Sequence, residues 1–276
     1  MSPCVNSYAM TLHFDLISDL HVDTWDESFS WEGKATSLYA VVAGDISRDR
    51  SDIRSVLYEL SLHYKIVLFV DGNDEHRWNL EDLSNSYQTL KEDIRGIANN
   101  VIWLQDTTVV IDNVAFIGTN GWTTFDFDND LSYQDSKHWL EETYRVSMYA
   151  SQQIEALAMS DAGLLCKAVG KLQTYPDVEK IVVVTHFVPN VRLVSHDIEI
   201  EGTHRLNCTG NSFLNRCIDE DHENKVHTWC FGHYHSDLDT TIDNIRYVNN
   251  CRGRSGTDWC KTVYYPKCIE INTKLD

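Results

Sequence analysis

Short apolar runs recur along the chain, and nearly every one closes on a polar residue of a particular kind. Leu12 to Ser18 ends in Asp19-Leu-His21, Ser37 to Ala43 ends in Gly44-Asp45, and Lys65 to Val70 ends in Asp71-Gly-Asn73-Asp74. Runs of this length, bounded by turn-forming residues, predict buried strands. Between the second and third, Ile53, Val56, Leu57 and Leu60 recur at helical spacing and predict a helix over 51–63. A second helix is predicted over about 81–97. Thr107 to Ile111, the turn pair Asp112-Asn113 and Val114 to Gly118 predict a hairpin. Helical patterning then runs from Tyr133 to Leu172, followed by a strand at Ile181 to Val184 that ends in Thr185-His186. Another strand, His227 to Phe231, ends in Gly232-His233-Tyr-His235, and Asp237 to Val248 predicts a closing hairpin that turns near Asp243-Asn244.

The order is βαβαβ first and antiparallel pairs later. It predicts a mixed α/β fold in which two packed mixed sheets form a β-sandwich core with helices outside. No linker or repeat interrupts it, so one domain over 1–276 is expected, with the irregular, polar stretch 190–225 as an insertion or lid.

Composition narrows the function classes. With 42% hydrophobic and 24% charged residues the chain is globular in type. Its net charge of −19 comes without a basic tract, and Arg252 with Arg254 is a pair rather than a patch. Long nucleic acid is therefore disfavoured as a partner. The eight cysteines are scattered, and no Cys-x-x-Cys occurs. No secretory pattern leads the sequence and no run is apolar enough to span a membrane. Reduced thiols and a cytoplasmic location are the expectation.

Each strand end contributes candidate ligands: Asp19 and His21, Asp45, Asn73, His186, then His233 and His235. In α/β sheets the carboxyl ends of strands are where ligands bind. Carboxylate, imidazole and amide oxygen without thiolate suit Mn²⁺, Fe²⁺/³⁺, Zn²⁺ or Ni²⁺ rather than a structural zinc site. Asp-x-His and His-x-His at a strand end turn both side chains to one cavity. Taken singly, each histidine is more simply a structural one. The ordered set carries the argument.

Asp19-Leu-His21, Gly44-Asp45, Gly72-Asn73-Asp74-Glu75, His186 and Gly232-His233-Tyr-His235 stand in the order of the blocks of the calcineurin-like metallophosphoesterase superfamily, which the chain resembles over nearly its whole length. The resemblance implies a four-layer metallophosphoesterase fold and two divalent metal ions, Mn²⁺ first among the candidates. Asp19, His21, Asp45 and His235 would hold one, and Asp45, Asn73, His186 and His233 the other. It further implies a phosphodiesterase or related hydrolase that cleaves a small phosphate ester or nucleotide with a hydroxide bridging the two metals. A catalytically weak binding member of the same fold, or a nuclease, are the rival readings.

Two positions depart from that family's pattern. Asp74 stands where the family's proton-donating His is usual, and Arg48 where Asp or Asn is common after the Gly-Asp block. Asp74 and His76 are the candidate catalytic residues, with three readings open: the leaving group needs little help, Asp74 has a raised pKa, or His76 substitutes. Asp15 and Asp23 read as ordinary polar residues and Asp71 as a turn former. Within 190–225, Arg192, His196, His204, Arg205 and Arg216 read as a solvated loop, with phosphate contacts the sharper alternative.

Overall fold

Burial on both faces explains why the apolar runs lack alternation: the sheets they form are covered on each side. The computed structural model describes residues 9–127, 132–194, 204–257 and 259–274. In chain order it contains β1 (Ala9–Ile17), β2 (Tyr39–Ala43), α1 (Arg50–His63), β3 (Ile66–Val70), α2 (Leu83–Arg95), β4 (Val101–Trp103), β5 (Thr108–Ile111) and β6 (Val114–Thr119). There follow α3 (Tyr133–Tyr144), α4 (Met148–Gln173), β7 (Lys180–Thr185), α5 (His204–Asn207), β8 (Val226–Phe231), β9 (Asp239–Ile242), β10 (Ile245–Asn249) and β11 (Lys267–Lys274).

Two mixed sheets result, one of five strands in the order β11-β1-β2-β3-β4 and one of six in the order β5-β6-β7-β8-β10-β9. Only β11, β5 and β9 run antiparallel to their neighbours. The sheets pack face to face through Leu12, Phe14, Leu68 and Val70 from the first and Phe116, Val182, Val184 and Cys230 from the second. Phe14 meets Phe116 edge to face at 5.3 Å. The outer face of the first sheet is covered by α1 and α2, through Ile53, Leu57, Leu60, Leu90 and Ile94. The second is covered by α4, through Ala162, Leu165, Val169 and Leu172. Helix, sheet, sheet, helix is the layering. Among the described residues no helix is long and apolar enough to cross a membrane.

The structure corrects the sequence reading in four places. The continuous helix expected from Tyr133 to Leu172 is broken, because Arg145 closes α3 in the left-handed region and Ser147 restarts α4 by accepting from Ala150 N. β4 and β11 were not anticipated. β4 has only three residues, whereas β11 alternates buried Ile269 and Ile271 with exposed Glu270 and Asn272. The described part of 190–225 is more than a solvated loop: Arg192, Arg205 and Arg216 are exposed as expected, but Leu206, Leu214 and Cys217 are buried in the core that α4 covers. His196 lies outside the described residues. Asp15, read as ordinary, is fully buried and accepts from Thr36 N at 2.7 Å and Tyr64 OH at 2.8 Å.

What positions the site is the convergence of both sheets at one edge. Asp19 N donates to Gly44 O at 3.0 Å, and Gly232 N donates to His186 O at 3.0 Å. A Cβ on Gly232 would stand 2.7 Å from Ala43 O, so only glycine lets the sheets close here.

Candidate metal centre

The polar residues that follow β1, β2, β3, β7 and β8 meet at that edge. Two separate trios of side chains bring ligand atoms within 4.8 Å of one another, Asp19, His21 and His235 in one and Asp45, His186 and His233 in the other, and a third trio, His21, Asp45 and Asp74, overlaps both. The trios are adjacent. Asp45 Oδ2 lies 3.8 Å from His21 Nε2 and Asp45 Oδ1 lies 3.3 Å from His186 Nε2, so this carboxylate turns one oxygen to each. Asn73 Oδ1 stands 3.2 Å from His186 Nε2, beside the second trio. His21 Nε2 and His235 Nε2 approach to 3.0 Å.

The backbone is bent to achieve this. Asp19, His21, Asp45 and His233 all have positive φ, at 51°, 43°, 54° and 62°. Each such residue costs on the order of 1–2 kcal/mol in L-amino acids, and four together mark a site that the surrounding fold enforces. The turns are cradled by glycines. A Cβ on Gly44 would sit 2.6 Å from His186 Nδ1, and one on Gly72 would sit 2.6 Å from Asp45 N.

Charge in the cluster favours ligation. Burial pushes His233 well below its ordinary pKa and pushes His235 down to about 4 against the pull of Asp19, so both imidazoles are neutral. Burial also disfavours a charged His186, but the Asp45 carboxylate wins and raises it to about 10. Asp45 itself is held well below the carboxylate range: burial opposes ionisation, and the charge and hydrogen bond of His186 outweigh it. Deprotonated imidazole with carboxylate is what a divalent metal requires. Oxygen and nitrogen donors, buried and with lone pairs converging, fit such an ion.

Supporting contacts fix the donors. His21 Nδ1 meets Asp74 Oδ2 at 3.1 Å, and His186 Nδ1 meets Ala43 O at 2.9 Å. Cys251 Sγ donates to Asp19 Oδ2 at 2.8 Å. Glu75 accepts from Asp45 N at 2.9 Å, Ile46 N at 2.6 Å and Gly72 N at 2.6 Å, tying the β2 and β3 loops together. Asp71, which the sequence offered only as a turn former, is a fully buried hub that accepts from Trp103 Nε1 at 2.8 Å and Asn120 Nδ2 at 2.9 Å and pairs with His76 Nε2 at 2.9 Å.

The two candidate catalytic residues take separate places. His76 is fully buried, with Ser86 Oγ 2.8 Å from its Nδ1 and Asp71 on its Nε2, so both ring nitrogens are engaged within the protein. Asp74 lies at the cluster, its backbone N donating to Asp45 Oδ1 at 2.8 Å and its carboxylate meeting His21, Arg48 and Arg254. Burial and Asp45 push its pKa up, but His21 and Arg254 prevail and hold it below the usual value. The raised pKa offered as one reading of Asp74 is not found.

Beside the cluster opens a cavity of about 150 Å³, lined on one side by Asp45, Asn73, His233 and His235. Arg77, Arg205 and Arg254 line it as well, and Trp122, Leu140, Tyr144 and Phe187 give it an apolar wall. Of these arginines, sequence reasoning noted Arg205 only within a loop and Arg254 only as half of a basic pair. Nothing in local spacing joins Arg77 or Arg254 to the strand ends.

The sequence matches no protein-family model and no curated protein. Among solved structures, a phosphopantetheinyl hydrolase from Mycobacterium tuberculosis is similar with a TM-score of 0.63, at 17% identity over 87% of this chain and 89% of that one. A proposed 5′-nucleotidase from Staphylococcus aureus is similar with a TM-score of 0.50, at 13% identity over 88% of this chain and 49% of that one. Identities this low establish the fold and leave function to the site. The two packed mixed sheets with helices outside that the sequence predicts are the fold observed, and the phosphopantetheinyl hydrolase shares it.

Proposed function

We propose that this chain is a single-domain phosphoric ester hydrolase that works with two divalent cations, Mn²⁺ first among them, on a small phosphodiester. The observation that carries the reading is Asp45, which turns one oxygen to His21 of one largely buried trio of nitrogen and oxygen donors and the other to His186 of its own. In this reading Asp19, His21, Asp45 and His235 hold one cation, and Asp45, Asn73, His186 and His233 the other. When bound, the pair would supply Lewis-acid polarisation of the phosphoryl group and a water acidic enough to attack near neutral pH.

The chain's own residues do the rest. Asp74 and Ala43 O engage the Nδ1 edges of His21 and His186, which leaves each Nε2 with a lone pair toward its trio. His76, with both nitrogens occupied, acts as a positioning residue through Asp71 and Asn120. The apolar wall lowers the local dielectric beside the cluster and strengthens electrostatic contacts there. Seven free thiols among the described residues suit a reducing compartment, and we place the enzyme in the cytoplasm.

The test is hydrolysis of bis-p-nitrophenyl phosphate and p-nitrophenyl phosphate with Mn²⁺, with chelator, and by Asp45→Ala. Mn²⁺-dependent turnover that favours the diester and drops at least 10³-fold in the variant is expected. Chelator-insensitive turnover, or none, would contradict the proposal.

A further inference from the structure

The two positions that depart from the family pattern touch each other. Arg48 Nε lies 3.4 Å from Asp74 Oδ2. A third residue completes the group: Arg254, in the stretch between β10 and β11, sets its Nη2 on the same oxygen. His21 Nδ1 reaches that oxygen at 3.1 Å, and Asn73 Nδ2 donates to the other at 3.2 Å. Asp74 is therefore an acceptor hub, its oxygens committed to four protein groups and none of them left to hand a proton to a substrate.

Arg254 is only half satisfied. Its Nη1 is buried and has no hydrogen-bond partner among the described residues. The residue lines the cavity together with Asp45, Asn73, His233 and His235. A guanidinium fixed at one end by a carboxylate and unmatched at the other is prepared for a planar, charge-assisted contact with an oxyanion. Two further guanidiniums line the same cavity. Arg77 stacks 4.0 Å over the Tyr144 ring and has no carboxylate in ion-pair range among the described residues, and Arg205 stands at α5. In a chain of net charge −19, three arginines gathered at one small cavity point to an anionic ligand with more than one charged group.

We propose, resting on the phosphoesterase reading and narrowing its diester to one whose leaving group is itself a phosphate, that Arg254 is a catalytic residue that receives the leaving oxygen, and that the substrate class is phosphoanhydrides: small molecules in which two phosphates are joined and one side carries an apolar or aromatic group. A water oxygen forms a bond to phosphorus and the bond from phosphorus to the bridging oxygen breaks. That oxygen keeps the electron pair, and the attacking water gives its protons to solvent. The leaving group departs as a phosphate, with a second pKa of about 6, so no acid is needed to protonate it at pH 7. Arg254 stabilises its charge, Asp74 and Arg48 position Arg254, and Arg77 and Arg205 bind the phosphate that departs. An alkoxide, far more basic, would leave slowly from this site.

Two measurements test this. Inorganic phosphate is titrated calorimetrically into Mn²⁺-loaded wild type, Arg254→Ala and Arg254→Lys, with bound Mn²⁺ quantified in each. We expect affinity to fall 10- to 100-fold in Arg254→Ala and to recover in part in Arg254→Lys, at unchanged metal content. In parallel, a dinucleoside diphosphate is compared with a dinucleoside monophosphate and with bis-p-nitrophenyl phosphate. Wild type should cleave the anhydride at least 100-fold faster than the dinucleoside monophosphate, and Arg254→Ala should lose about 10²-fold or more on the anhydride. Mn²⁺-dependent hydrolysis that persists in Arg254→Ala with the same phosphate affinity and the same substrate preference would overturn the assignment of Arg254 while leaving the hydrolase intact. Wild type that binds Mn²⁺ yet cleaves none of the three probes would overturn the underlying reading instead.

Discussion

Asp45 shows how narrowly the site is set. Glu75 takes its backbone N–H at 2.9 Å, Asp74 N donates to its Oδ1 at 2.8 Å, and its side-chain oxygens divide between two histidines. Gly72 leaves no room for anything larger, since a Cβ there would stand 2.6 Å from Asp45 N. Gly72→Ala is therefore expected to weaken Mn²⁺ binding by 10-fold or more and to lower stability by about 1–3 kcal/mol, read by metal titration and thermal melting. Unchanged metal affinity would show that the loop absorbs the methyl group and that Asp45 is held less tightly. The seven ligand candidates were legible because each is a metal-ligating residue type set directly after an apolar run. Arg254 and Cys251 were not, since they reach Asp74 and Asp19 across the fold from a stretch with no periodic pattern of its own.

At the scale of elements, the chain marks its helix ends chemically rather than by hydrophobicity. Asp49 caps α1 by accepting from Ser51 N at 2.7 Å, and Ser147 caps α4. The break at Arg145 escaped sequence reading because the apolar spacing runs on across it, and a non-glycine residue in the left-handed region leaves no trace in that spacing. Arg145 sits there at φ 54°, so Arg145→Gly is expected to stabilise the fold by about 0.5–1 kcal/mol in denaturant unfolding. A loss of stability would mean that the arginine side chain makes a contact worth more than the backbone strain. α4 also carries Asp161, buried and accepting from Gly121 N at 2.8 Å. Burial raises its pKa from 3.8 to about 7. Between those values the folded state holds a proton that the unfolded chain has released, so stability is whole below about pH 3.8 and is lost as pH rises to about 7. Asp161→Asn should flatten that decline, by up to about 1.4 kcal/mol per pH unit within the window. A slope equal to wild type would show the carboxylate ionised in the fold.

Across the whole molecule, two sheets of opposite provenance build one centre. β1, β2 and β3 deliver Asp19, His21, Asp45 and Asn73, and β7 and β8 deliver His186, His233 and His235. That arrangement was legible as alternating βα units followed by antiparallel pairs. The closing strand β11 was missed, although its alternation was present, because no strand end with ligand residues drew notice to it. Both sheets must be in place for either trio to form, so cations held by the proposed centre would be linked to folding, and Mn²⁺ is expected to raise the thermal midpoint by mass action.

The number of Mn²⁺ ions bound per chain at equilibrium, in wild type and in Asp45→Ala, reports on the proposed two-cation centre without recourse to activity. About two per chain in wild type, with the variant retaining at most one, is the predicted result, since Asp45 would lose both of its ligand oxygens together. One ion or none in wild type, or two still bound without the Asp45 carboxylate, would contradict a centre in which that residue joins two cations.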